Sequence, residues 1–187
     1  MDKGSSARRQ LLAQMTGRGY RFEERLFGFS AKDVSRTPPP PYLECLRECL
    51  LHQPAFWNPC KPPTELARVL RYWVVKHFAE SEQKRLGLYV AVGTPLDFWH
   101  GVDCFFYYGE PEQDEDWSDG RRRVTIDVAS YDKQRVNAKK VSADLLITPE
   151  TLVYDLKIVG KHIADYLQNE ISLRELKTKP HAWSVTS

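Results

Sequence analysis

Val102-Asp103-Cys104-Phe105-Phe106-Tyr107-Tyr108 and Arg122-Arg123-Val124-Thr125-Ile126-Asp127-Val128-Ala129 are the stretches on which the fold turns. Both are rich in β-branched and aromatic residues, and the segment between them is polar, so they read as two strands joined by a connection. A hairpin symmetric about Glu115 pairs residues whose numbers add to 230. That register sets Val102 opposite Val128, Cys104 opposite Ile126 and Phe106 opposite Val124, all apolar. The other face pairs Phe105 with Thr125, Tyr107 with Arg123 and Asp103 with Asp127, because successive strand residues point to opposite faces. A slip of two residues preserves the faces and leaves the two acids diagonal.

Carboxylates directly opposite one another on neighbouring strands repel, by several tenths of a kcal/mol or more. A divalent cation offsets that cost, since hard cations take oxygen ligands and two carboxylates one strand spacing apart reach the same ion. A shared proton or neutralisation by Arg123 does the same. In the remaining arrangement both aspartates face solvent and never meet.

Working outward, Thr64 is a good helix N-cap, and Leu66, Val69, Leu70, Trp73, Val74, His77 and Phe78 recur at three-to-four spacing. The pattern predicts one amphipathic helix from Thr64 to about Arg85. Leu88–Val92 reads as a strand closed by Gly93-Thr94-Pro95, Tyr131–Lys140 as a short basic helix and Ala143–Ile147 as a further strand. Thr148-Pro149-Glu150 opens a long helix whose buried face is Leu152, Leu156, Val159, Ile163, Leu167 and Ile171. Before Thr64 the chain reads as short pieces: helices over Ser6–Met15 and Phe22–Phe27, an extended Pro38–Pro41 run and a helix at Tyr42–Leu51. This divides the chain into an N-terminal helical and proline-rich extension (1–63), an α/β core (64–172) and a C-terminal tail (173–187).

Helix, three-stranded meander, short helix and fourth strand, with an acid on the second strand and another on the third, resembles the core of the PD-(D/E)XK, or restriction-endonuclease-like, nuclease superfamily. The resemblance is carried by Gly101-Val102-Asp103-Cys104-Phe105-Phe106 and Val124-Thr125-Ile126-Asp127-Val128-Ala129 and covers Thr64 to about Ile147. It implies an α/β (α+β) fold with a central mixed four-stranded sheet flanked by helices. It also implies an endonuclease that hydrolyses nucleic-acid phosphodiesters, DNA before RNA, with Mg²⁺ or Mn²⁺ held by Asp103 and Asp127. The metal polarises the phosphate and lowers the pKa of the attacking water. A glutamate on the first helix completes many such sites, making Glu65 a third metal ligand, with Glu80 and Glu82 as later options. The superfamily places a lysine two residues after the third-strand acid, and here that residue is Ala129; Lys133, Lys139 or Lys140 reach the site only if the chain turns sharply after the strand, and Lys133 is taken as the third catalytic residue. The other reading is an inactive nuclease fold that binds DNA or a protein, the latter through the N-terminal extension.

The 187 residues carry 27 basic and 25 acidic side chains, with 42% hydrophobic and 12% aromatic residues. That composition builds a core and excludes wholesale disorder. Six acids fall between Glu110 and Asp119, and setting them aside leaves 27 basic residues against 19 acidic. The basic residues Arg121, Arg122, Arg123, Lys139 and Lys140 cluster around the third strand as candidate phosphate contacts. Trp99, Tyr107, Tyr108 and Trp117 are candidate stacking residues, and His100 is a candidate ligand or general acid. Cys45, Cys49, His52 and Cys60 are zinc-type residues without knuckle spacing, so paired helix-face cysteines are the plainer reading. No Walker loop, GxGxxG, nucleophile elbow or HExxH occurs, which sets aside P-loop nucleotide hydrolysis and zinc proteolysis. No apolar run approaches the roughly 20 residues of a membrane span, and no signal peptide is evident, so an intracellular, cytoplasmic protein is expected.

Overall fold

The computed structural model describes residues 26–28, 39–110, 123–128, 143–148, 151 and 155–169. Among them run α1 (Tyr42–Leu51), α2 (Glu65–Val75), α3 (Glu80–Gln83), β1 (Leu86–Val90), α4 (Pro95–His100), β2 (Cys104–Tyr108), β3 (Arg123–Val128), β4 (Leu145–Ile147) and α5 (Leu156–Asn169). The four strands form one sheet in the order β1-β2-β3-β4. β1, β2 and β3 are an antiparallel meander, and β4 runs parallel to β3. The chain is therefore of α/β class with a mixed sheet. A parallel pair needs a crossover of a dozen or more residues, and the crossover, with the helix expected at Tyr131–Lys140, lies outside the described residues.

The β2–β3 register follows the sum of 230: Cys104 faces Ile126, Phe105 faces Thr125, Phe106 faces Val124 and Tyr107 faces Arg123. Alternation then sorts the sheet into two apolar faces. Leu86, Leu88, Val90, Cys104, Phe106, Val124, Ile126, Val128 and Ile147 pack with Ala67, Leu70 and Val74 of α2 and Val159, Ile163 and Ala164 of α5. Tyr89, Phe105 and Tyr107 pack with Cys45, Leu46, Cys49 and Leu50 of α1 and Leu96 of α4. Residues before Thr64, expected as an appendage, thus supply α1 to one face and Leu26, Phe27 and Trp57 to the other.

The single helix expected over Thr64–Arg85 is divided. Thr64 caps α2 as expected, accepting from Ala67 N, but α2 ends at Val75. Arg71 draws the following chain back by donating to the carbonyls of Gln83 (3.0 Å) and Leu86 (2.8 Å). Phe78 then turns inward to stack on Tyr108, whose hydroxyl donates to Glu82 Oε1 at 3.1 Å. β1 consequently begins two residues earlier than the apolar run indicated. Its outer edge is covered: Gln53 donates to Val90 O at 3.0 Å and accepts from Val90 N at 2.8 Å, Trp57 Nε1 donates to Leu88 O, and Leu88 N donates to Pro59 O. Covering an edge strand in this way blocks pairing with other chains.

The final helix, expected to open at Thr148, runs as α5 from Leu156, with Val159 and Ile163 buried and Leu156 and Leu167 packed beside them, while Leu152 and Ile171 lie outside the described residues. Gly160 lets it approach α2 closely, because a Cβ there stands 2.5 Å from Trp73 Cβ and 2.8 Å from Trp73 C. No helix among the described residues is long and apolar enough to cross a membrane.

Candidate metal and nucleic-acid site

Asp103 is delivered by a helix where Gly93-Thr94-Pro95 predicts only the end of a strand. Thr94 Oγ1 accepts from Leu96 N, Pro95 occupies the first turn, and Asp97 accepts from Gly93 N, all ordinary helix-start signals. The resulting α4 stops at Gly101, whose φ of 65° is left-handed and suits a residue without Cβ. Its N–H bonds back to Asp97 O, and the chain then leaves into β2.

At Asp103 the ladder arithmetic changes. Ala91 N donates to Asp103 O, as the β1–β2 register requires, but Asp103 N donates to Ile126 O, a pair one short of 230. This is the one-residue offset of a β-bulge, a device that re-aims a side chain. Asp103 Oδ2 then accepts from Val128 N at 2.6 Å, so its carboxylate sits on the Asp127–Val128 peptide. Asp103 is 5% and Asp127 8% exposed. Both acids therefore lie at one end of β2 and β3, but the expected opposition of Asp103 to Asp127 and of Val102 to Val128 is not kept: Val102 packs with Tyr89 and Phe105 instead of beside Cys104, because the bulge ends the strict alternation before β2. Cys104 lies between them in the chain order of the site; its thiol is pushed well up, first by burial and then by the charges of Asp103 and Asp127.

A polar group adjoins the pair on the α1 side of β3. Asp144, just before β4, accepts from both Thr125 N and Thr125 Oγ1 at 2.9 Å, and Asp144 N donates to Thr125 Oγ1 at 3.0 Å. This reciprocal latch fixes the entry of β4 against β3. Arg123 lies with its guanidinium carbon 5.9 Å from the Tyr42 ring. Burial raises the Tyr42 hydroxyl pKa, the Arg123 charge opposes that shift and the Asp144 charge adds to it.

The other predicted residues are distributed differently. Glu65 is exposed in the first turn of α2, where an acid favours the helix N-terminus. Glu82 accepts from Ala79 N and from Tyr108. No group of three His, Cys, Asp or Glu residues suited to a metal is found among the described residues. Two carboxylates nonetheless suit Mg²⁺, which is commonly held by one or two carboxylates together with waters and substrate phosphates. Arg123, expected as a phosphate contact, is 8% exposed and lies over the Tyr42 ring of α1. His100 is occupied with Pro40 O at 3.1 Å and an edge contact to Tyr42, tying α4 to the start of α1. Of the aromatics, Tyr107 is buried and Tyr108 packs on Phe78.

Lys133, Arg121, Arg122, Lys139, Lys140, Ala129, Trp117 and the acidic run after Glu110 lie outside the described residues. The zinc-type residues do not converge: Cys45 and Cys49 are buried against the sheet, while His52 and Cys60 are exposed. Sequence reasoning missed Asp144, whose partner is 19 residues away and carries no local signal. It also missed Gln53, whose amide pairs with an edge strand 37 residues on.

The fold and site together define an α/β domain with a mixed four-stranded sheet and a buried aspartate pair at one end of two central strands. No protein-family model, curated protein or solved structure matches the chain.

Proposed function

We propose that the chain is a divergent metal-dependent nuclease of PD-(D/E)XK type that hydrolyses nucleic-acid phosphodiester bonds, DNA before RNA. The observation that carries the reading is the Asp103 carboxylate seated on the Asp127–Val128 peptide, with both aspartates buried. Two carboxylates at one end of neighbouring strands offer oxygen ligands to a hard divalent cation. Such an ion would activate water and stabilise the charge developing on the phosphate. The antiparallel meander of β1–β3 followed by parallel β4 in one mixed sheet supports the reading.

Asp103 and Asp127 are the ligands in this reading, and the remaining coordination falls to water and the phosphate. The water-orienting lysine comes from the segment after β3, with Lys133 the first candidate, since Ala129 holds the usual position. The rival role is a binding domain without catalysis, favoured by that alanine and by the use of Asp103 Oδ2 in the backbone ladder.

The test uses labelled single-stranded and duplex DNA and RNA with the purified protein in Mg²⁺, Mn²⁺ or EDTA. Cleavage is expected with metal, is abolished by EDTA and is absent in Asp127→Asn. If neither cleavage nor thermal stability responds to metal in the wild type, the nuclease reading is lost and the binding role stands.

A further inference from the structure

We propose that the solvent side of α2, together with Lys157 of α5, is a docking surface for single-stranded nucleic acid, separate from the aspartate pair. Arg68, Tyr72 and Lys76 recur every four residues and so form one stripe along α2. Tyr72 is 60% exposed, meeting Trp73 edge to face with ring centroids 5.4 Å apart. Lys76 Nζ lies 3.9 Å from the centre of the Trp73 ring, and Lys157 Nζ reaches the same ring from α5 at 6.0 Å. Arg68 is steadied by a bond to Pro63 O at 3.0 Å with its side chain exposed. None of Arg68, Lys76 and Lys157 makes an ion pair among the described residues.

Tyr72 leaves most of its ring in water, in one stripe with the cations Arg68 and Lys76, so little of that ring is used in packing the fold. The stripe suits a ligand with negative charge at regular intervals and flat apolar faces between the charges. Single-stranded nucleic acid meets that description: its phosphates match the cations, and its unstacked bases match Tyr72. A duplex keeps its base faces stacked on one another, and an acidic peptide offers charge without the faces. Arg68 to Lys76 spans about 12 Å of helix, the length of about three to four stacked nucleotides. The surface lies on the α2–α5 side of the sheet, away from α1.

Fluorescence anisotropy of a labelled oligothymidylate in EDTA tests this without any contribution from metal or cleavage. Binding is expected in the wild type and in Asp127→Asn alike. Tyr72→Ala should weaken it about tenfold and Tyr72→Phe should leave it unchanged, because a base stacks on either ring. Lys76→Glu with Lys157→Glu should weaken it further and make its salt dependence shallower, by about 0.7 in log–log slope per lost phosphate contact. Circular dichroism checks that these exposed substitutions leave the fold intact. No binding by the wild type overturns the proposal, as does affinity that Tyr72→Ala leaves intact. Equal competition by polyglutamate overturns it in favour of an acidic protein partner.

Discussion

Replacing Asp103 separates its part in the β-ladder from its part in metal binding. Its Oδ2 accepts from the buried Val128 N at 2.6 Å, and hydrogen bonds to charged groups contribute about 1.5–3 kcal/mol. Asp103→Ala deletes the acceptor and leaves a buried amide unpaired, so a loss of about 2–3 kcal/mol is expected. At about 2–4 °C per kcal/mol for a chain of this size, the midpoint falls by about 4–12 °C. Asp103→Asn keeps an acceptor oxygen at the same place but gives a neutral bond roughly half as strong, so its loss should be about 1 kcal/mol. Urea unfolding followed by tryptophan fluorescence, first in EDTA, reads both values. Mg²⁺ at a hundredfold over its Kd then adds about 2.7 kcal/mol to the wild type and nothing to Asp103→Asn. If Asp103→Ala unfolds with the wild type in EDTA, the ladder argument is refuted. If Asp103→Asn gains as much from Mg²⁺ as the wild type, Asp103 is not a ligand.

Three further outcomes follow from the packing. Gly160→Ala should destabilise by about 1–2 kcal/mol although alanine favours helices, because the new methyl meets backbone atoms of Trp73 that cannot rotate away; a urea midpoint at or above the wild-type value contradicts that close approach. Gln53→Ala should cost about 1–3 kcal/mol by stripping both hydrogen bonds from Val90, and light scattering should show more self-association as the β1 edge opens. Burial pushes the Cys49 thiol up to about 11 from an ordinary value near 9, so the folded state favours the neutral thiol; its contribution to stability is complete below pH 9 and is lost as pH rises toward 11. Stability measured from pH 8 to 11 should fall less steeply in Cys49→Ala than in the wild type, and parallel slopes would show that Cys49 does not carry the effect.

The β2–β3 register was legible because it needs only alternation: one face of each strand is apolar at every second position from Cys104 to Phe106 and from Val124 to Val128. The Tyr42–Leu51 helix was legible for a similar reason, being bounded by prolines and carrying its buried residues at helical spacing. The division of the Thr64–Arg85 helix was not, because the periodicity continues through Phe78 while the break is imposed by Arg71 reaching carbonyls 12 and 15 residues away. The start of α4 was visible as Thr94-Pro95 with Asp97, but the same residues also spell a turn. What chose the helix was Gly101 at φ 65° and the burial of Leu96 beneath α1.

For the candidate site the division is similar. The sequence by itself determined that an acid precedes β2 and another rides on β3, and that the strands have one face for each layer of helices. Only the tertiary structure decided that a bulge turns the Asp103 carboxylate onto the Asp127–Val128 peptide. It also decided that Arg123 lies beneath α1 instead of in solvent. Alternation is a property of each residue's own backbone and can be read locally. A bulge, a latch such as Asp144 on Thr125, or a helix laid over an arginine depends on bonds between distant segments, and those exist only once the layers have packed.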